Sequence, residues 1–250
     1  MAKRLAKQGL NLVLLSRSAD KLKACAEDIK AASPKVEVKV LDIDFSLFDE
    51  AARGRVASLL KDLDVGVLVN NVGISYPFTR YFYELEDVSV EQLMTLNVSS
   101  TTWMTRVVLP GMVERKRGAI VNMASAAGVL NSPLLAQYGA AKAYVAMFSR
   151  TLNSELKGKG VHVQCQVPLF VATKLAKLRT ATVFTASPSS YARAAVAAIG
   201  YEALVSPYWS HALQMWLLQS LPEYISSQII FYTHSGIRKA GMKKEAKKSN

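Results

Sequence analysis

Short apolar runs alternate with amphipathic stretches along most of this 250-residue chain, and that alternation limits the fold more than any other feature of the sequence. Strand-like runs at 10–16, 36–42, 65–70, 118–124 and 161–167 are separated by segments of helical period at 2–8, 19–32, 47–61, 89–115, 136–157 and 188–200. Buried strands that each feed a covering helix form a parallel sheet packed on both faces, so the expected class is α/β, a Rossmann-like doubly wound sheet. Hydrophobic residues make up 50% of the chain, enough to exclude a mainly disordered protein.

Only two cysteines occur, Cys25 and Cys165, with no Cys-x-x-Cys pair and no cluster of histidines. A disulfide framework and a structural zinc site are both unsupported, and a reducing compartment is expected. The basic N-terminus precedes an apolar run that covers only Leu10 to Leu15, too short for a secretory signal.

The formal net charge is +12, which suits nucleic acid, an anionic membrane surface or a phosphate-bearing ligand. Six basic residues and one acid lie between Arg238 and Asn250, so this tail carries +5 of the total. No basic stripe interleaved with aromatics appears elsewhere, and no nucleic-acid partner is expected. Residues 203–237 hold a single formal charge, Glu223, and are rich in Trp and Tyr. Pro207 and Pro222 interrupt them, so two short amphipathic helices are expected here rather than a spanning one. They form either a helical flap on the core or a lid over an apolar substrate that also rests in a membrane interface. Three regions result: a Rossmann-like α/β domain at 1–200, the apolar helical segment at 201–237 and the basic tail at 238–250.

Tyr138 and Lys142 are spaced to share one face of a helix. Such a pair arises by chance about 0.8 times in a chain of this composition, so its surroundings decide its meaning. Ser125 lies 13 residues upstream, just beyond the strand ending in Asn-Met-Ala-Ser, at the sheet edge where ligands of such folds bind. Asn-Asn-Val-Gly at 70–73 closes an earlier strand, and Asn97 in the long helix completes the group. The chemistry suited to this set is hydride transfer to a carbonyl. Lys142 is expected to lower the phenol pKa of Tyr138, Ser125 to hydrogen-bond the carbonyl oxygen, and Asn97 to hold a water serving Lys142. Taken singly, each residue also has an ordinary reading: a helix-surface pair, a helix cap or a turn former.

With these motifs the chain resembles the short-chain dehydrogenase/reductases. More narrowly it is similar to the very-long-chain 3-oxoacyl-CoA reductases and related 17β-hydroxysteroid dehydrogenases of the endoplasmic reticulum. SRSADKL at 16–22, LVNNVGISY at 68–76, VLPGMVERKRGAIVNMAS at 108–125 and PLFVATKLAK at 168–177 carry that likeness, which extends over about residues 1–240. The resemblance makes Ser125, Tyr138, Lys142 and Asn97 the catalytic set. It places Asp44 near an adenine ring, with Asp42 as its rival, Asn71 and Gly73 at a cofactor-side turn, and Val171 and Thr173 at the nicotinamide. Independently, the second strand of such a fold carries an acid for NAD or an Arg for the 2′-phosphate of NADP. Here that strand ends in Ser16-Arg17, which favours NADPH.

The family's opening strand and Gly-x-x-x-Gly-x-Gly turn have no counterpart here, since Met1 to Gln8 matches the later part of the first helix. The strand expected to be absent is central, between strands 10–16 and 65–70, and the membrane anchor of the reductases is likewise unmatched. Two readings follow: a piece of an active reductase, or a short product that holds its cofactor poorly and is by itself a poor enzyme. The expected activity is NADPH-dependent reduction of a 3-oxoacyl-CoA in very-long-chain fatty acid elongation. Steroid 17-keto reduction and a non-catalytic role as an interaction partner are the alternatives. Lys247-Lys248-Ser249-Asn250 is similar to a retrieval signal, which suggests the endoplasmic reticulum membrane with the catalytic face in the cytosol. Elongation-complex partners or a homodimer are further expectations.

Overall fold

The structure, a computed structural model, describes residues 1–173 and 180–249. A short helix α1 (Ala2–Ala6) leads into β1 (Leu12–Ser16), α2 (Ala19–Ala32), β2 (Val38–Asp42), α3 (Glu50–Leu60) and β3 (Val67–Asn70). Next come α4 (Asp87–Met94), α5 (Ser100–Glu114), β4 (Gly118–Met123), α6 (Ala136–Glu155), β5 (Val161–Gln166) and α7 (Pro188–Ala197). The chain then forms β6 (Leu204–Val205), α8 (Trp209–Ser220) and α9 (Glu223–Ser249).

Among the described residues all strand pairs are parallel, and they form two sheets rather than one. In one, β1 lies beside β2; in the other, the order is β3-β4-β5-β6. The edges of β1 and β3 line a common cavity of about 830 Å³. Leu12, Leu14, Val67 and Val69 contribute its strand walls, and Leu5 and Met104 reach it from helices. This is the break expected between the strands at 10–16 and 65–70.

Packing on both faces follows from the apolar runs. Val56, Met104, Val108 and Met112 close on Ile120 and Val163 in the largest core cluster. On the opposite side Val145 and Ala146 of α6 and Met215 of α8 meet Ala124, Cys165 and Val167. Ala6, Ile29 and Val36 form a separate cluster at the β1–β2 sheet. Each fully buried aliphatic side chain of this kind contributes roughly 1.5–3 kcal/mol relative to exposure.

Local departures from expectation have local causes. The helix expected from residue 47 begins at Glu50, because the Asp49 carboxylate accepts the Ala52 N–H at 2.8 Å and caps it there. The long helix expected at 89–115 is interrupted by one π-helical turn, Thr95–Ser99, with Asn97 at its centre. The apolar segment 203–237 opens with β6, too short to give a periodic signal, before its two helices. No helix boundary falls at 237/238, since α9 runs on through the basic tail. No helix among the described residues is long and apolar enough to cross a membrane.

Candidate active site

Ser125 sits just past β4 in extended backbone, at the start of a single 3-10 turn formed by Ala126–Gly128. Its hydroxyl accepts the Ala127 N–H at 3.3 Å. Two glycines bring that turn onto α6. A Cβ on Gly128 would lie 2.4 Å from the Lys142 carbonyl carbon, and one on Gly139 would lie 2.8 Å from the Ala127 oxygen. Only glycine permits so close an approach of two backbones. The result is that the Ser125 hydroxyl lies near enough to the phenol of Tyr138 to pull its pKa downward. Sequence reasoning passed over Gly128 and Gly139; their signal was a glycine three residues after the serine and another beside the tyrosine.

One helical turn on, Lys142 is buried and its Nζ donates to the Met123 carbonyl at 3.0 Å. Burial lowers the lysine pKa to about 8 from its ordinary 10.5. The ammonium lies 5.8 Å from the centre of the Tyr138 ring. Burial raises the phenol pKa, and the opposing downward pull comes from the Ser125 hydroxyl. Desolvation thus outweighs the lowering expected at Tyr138: the net direction is upward, with Ser125 supplying the opposing pull.

Asn97 is fully buried, and its side chain is engaged in the loop after β3. Its Oδ1 accepts the Ile74 N–H at 3.3 Å, while Nδ2 donates to the Ile74 and Leu93 carbonyls at 2.9 and 3.0 Å. Gly73 touches both groups: a Cβ there would lie 2.5 Å from Asn97 Oδ1 and 3.2 Å from Lys142 Nζ. Thus Ser125, Tyr138, Lys142, Asn97 and Gly73 form one cluster. Asn71, two residues before Gly73, is exposed and lines the cavity between β1 and β3.

Tyr76 is a positioning element that the sequence did not reveal. Its hydroxyl accepts the Gln137 N–H at 3.0 Å, anchoring the first turn of α6 beside Tyr138. Helix α9 braces the same region. The Thr79 hydroxyl donates to the His234 carbonyl at 2.6 Å, and His234 Nδ1 is 2.6 Å from the Pro133 carbonyl. Arg80 and Arg238 pair with Glu245 and Glu84, tying α9 to the loop after β3.

A second group lies at the ends of β1 and β2. Exposed Arg17 follows Ser16, and Asp44 accepts the N–H and hydroxyl of Ser46. Those two hydrogen bonds hold the Asp44 carboxyl below its usual range, with a smaller contribution from Arg17. The rival Asp42 pairs instead with Arg55 at 3.4 Å. A third group follows β5: Val171 bridges to Ala186, and Thr173 Oγ1 is 3.3 Å from the Val171 carbonyl. Pro168 ties it to the serine turn by accepting the Ala126 N–H at 3.0 Å. Residues 174–177 of the PLFVATKLAK motif lie outside the described residues.

The sequence pattern of the short chain dehydrogenases matches residues 1–183. The chain belongs to that family. It is 41% identical over 248 residues to the very-long-chain 3-oxoacyl-CoA reductase of Rattus norvegicus, covering 98% of this chain and 78% of the relative. The inactive hydroxysteroid dehydrogenase-like protein 1 of Homo sapiens is 40% identical over 228 residues, covering 90% of this chain and 68% of the relative. Among solved structures, a short-chain dehydrogenase from Sphingobium yanoikuyae in complex with NADPH is 28% identical, with a TM-score of 0.74, covering 88% of this chain and 86% of that one. As a short-chain dehydrogenase, the chain is an oxidoreductase with a parallel α/β sheet of Rossmann type.

The donor sets suit the two ends of a nicotinamide dinucleotide. Arg17 and Asp44 offer a cation and hydrogen-bonding oxygens at the ends of β1 and β2, and Tyr138 and Lys142 offer a phenol and an ammonium on α6. Among the described residues no glycine-rich turn lies between them, and the cavity between β1 and β3 opens there instead.

Proposed function

We propose that this protein reduces the ketone of a long-chain 3-oxoacyl-CoA to the 3-hydroxy form with NADPH, as a step of very-long-chain fatty acid elongation. The Ser125 hydroxyl near the Tyr138 phenol, with the buried Lys142 ammonium 5.8 Å from the same ring, carries this reading. NADPH, when bound, supplies the hydride. Ser125 donates a hydrogen bond to the ketone oxygen, and the Tyr138 phenol delivers its proton there as negative charge develops. A phenol with a raised pKa stays protonated at neutral pH and is ready to act as the acid. Lys142 and Asn97 bind the loop and strand ends that frame the reacting groups, and Lys142 keeps a positive charge near the developing oxyanion. Arg17 receives the 2′-phosphate, Asp44 the adenosine side, Asn71 and Gly73 the turn toward the catalytic cluster, and Val171 and Thr173 the nicotinamide.

The substrate is an apolar chain, and the setting is the cytosolic face of the endoplasmic reticulum membrane. Trp209, Leu213, Trp216 and Leu217 are exposed at helical spacing on α8, and the adjoining α9 carries the basic C-terminal residues. An apolar face beside positive charge suits an anionic lipid interface. The decisive experiment mixes the purified chain with NADPH and either a long 3-oxoacyl-CoA or a 17-keto steroid. Cofactor oxidation with the thioester, lost in Tyr138→Phe, is the expected result. Turnover of the steroid alone would overturn the acyl assignment.

The divided sheet favours a second reading, a non-catalytic partner in an elongation complex, because β1 and β3 are not hydrogen-bonded to each other. NADPH titration separates the two: the non-catalytic reading requires that the cofactor fail to bind at micromolar concentrations.

A further inference from the structure

Helix α8 presents two unlike faces. Outward, Trp209 and Trp216 are each 63% exposed; inward, Ser210 and His211 are buried, with His211 wholly inaccessible to solvent. The imidazole lies edge-on to Tyr208 at 5.0 Å and is tilted against Tyr191 at 6.0 Å. Its Nδ1 accepts the Leu169 N–H at 3.3 Å. The hydrogen-bond network therefore assigns the ring proton to Nε2, which donates to the Phe170 carbonyl at 3.1 Å. Both nitrogens of one buried ring are committed to consecutive backbone residues of the segment after β5.

The same turn of α8 holds the returning stem of that segment. Ser210 Oγ donates to the Val183 carbonyl at 2.5 Å, and Gln214 Nε2 to the Phe184 carbonyl at 3.3 Å. The stems also meet directly, with Ala186 N–H donating to Phe170 O at 3.1 Å and Ala172 N–H to Ala186 O at 2.9 Å. Nothing in the packing requires an imidazole here. A phenyl ring would fill similar space but leave the partly buried Leu169 N–H without its acceptor, a cost that sheltered polar groups seldom bear.

We propose that His211 is a positioning residue for the nicotinamide. By holding Leu169 and Phe170 it fixes the backbone register at which Val171 and Thr173 are presented, while Ser210 and Gln214 fix the other stem. This rests on the assignment of Val171 and Thr173 to the nicotinamide end made above. A clamp from α8 makes the apolar C-terminal segment part of the cofactor site as well as a cover.

The test compares wild type, His211→Gln, His211→Phe and Ser210→Ala by amide hydrogen exchange without cofactor and by NADPH titration. Glutamine retains one donor and one acceptor; phenylalanine retains the ring alone. For His211→Phe the Leu169 and Ala172 amides should exchange about tenfold faster and NADPH should bind about tenfold more weakly, the scale of one lost hydrogen bond. His211→Gln should recover most of both. Ser210→Ala, the milder change, should speed exchange around 183–186 and leave Leu169 protected. Equal behaviour of His211→Gln and His211→Phe, or unchanged exchange at Leu169 in His211→Phe, would show that the ring only fills space and would overturn the proposal. Failure of wild type to take up NADPH would instead overturn the cofactor assignment, with the exchange result still deciding whether the clamp exists.

Discussion

Lys142 Nζ donates to the main-chain carbonyl of Met123 at 3.0 Å, so α6 is fastened to the end of β4 two residues before Ser125. The ammonium that serves the site is thus also a buried charge. Its folded pKa is about 8, against 10.5 ordinarily, because burial disfavours the charged form. Between those values the unfolded chain binds the proton and the folded chain releases it, so stability rises with pH from about 8 to 10.5. Lys142→Met should abolish turnover yet raise stability at pH 7, by up to about 3 kcal/mol. That advantage should shrink as pH climbs through this window. Urea unfolding at pH 7 and pH 10 measures both effects, and a less stable variant at pH 7 would refute them.

Ser125→Ala removes the hydroxyl that opposes the burial-driven rise of the Tyr138 phenol pKa. The reduction rate should fall about 10²–10³-fold, the effect of losing a donor aimed at developing charge. The high-pH limb of the rate profile should move upward, because the proton donor then holds its proton to higher pH. A limb moving to lower pH would contradict the assignment.

Gly128→Ala places a methyl group 2.4 Å from the Lys142 carbonyl carbon and 2.6 Å from the Ala143 nitrogen. Both are helix backbone, so the serine turn must lift away. A loss of about 3 kcal/mol is expected in thermal or urea unfolding, at the upper range of overpacking. The residual folded protein should turn over about 100-fold more slowly, as a misplacement near 1 Å produces. Gly54→Ala, where a Cβ would meet nothing within 4 Å, is the control and should be neutral or slightly stabilising.

Arg17 is exposed, and its charge is felt at Asp44. Arg17→Glu should raise the KM for NADPH at least about tenfold while leaving that for NADH unchanged or improved, because a carboxylate repels the 2′-phosphate and accepts the ribose hydroxyls. Initial rates with both cofactors decide it. An equal loss with NADH would mean that Arg17 does not read the 2′-phosphate.

The parallel pairs and the proximity of Ser125, Tyr138 and Lys142 were legible because strand period, helical spacing and strand-end position are local properties of sequence, whereas the break between 10–16 and 65–70 followed from the resemblance to the family. The contacts that hold those residues in place were less visible. Gly128 and Gly139 act through a tight approach between a turn and a helix that no periodicity encodes. Tyr76 meets Gln137 across 61 positions, and His211 meets Leu169 across 42. The direction of the Tyr138 pKa shift was missed for a related reason: it depends on burial, which the spacing of two residues does not reveal.

The seam between β1 and β3 divides the proposed cofactor contacts between two plates. Ser16, Arg17 and Asp44 belong to the plate carrying β1 and β2; Ser125, Tyr138 and Lys142 ride on the one built from β3 to β6. Among the described residues no ladder bond joins β1 to β3, and the plates meet through side chains such as Phe45 and Phe48 in the main core and through α1 against α7. The width of that seam is therefore a caliper: whatever wedges or draws together the two edges sets the span over which a dinucleotide must stretch.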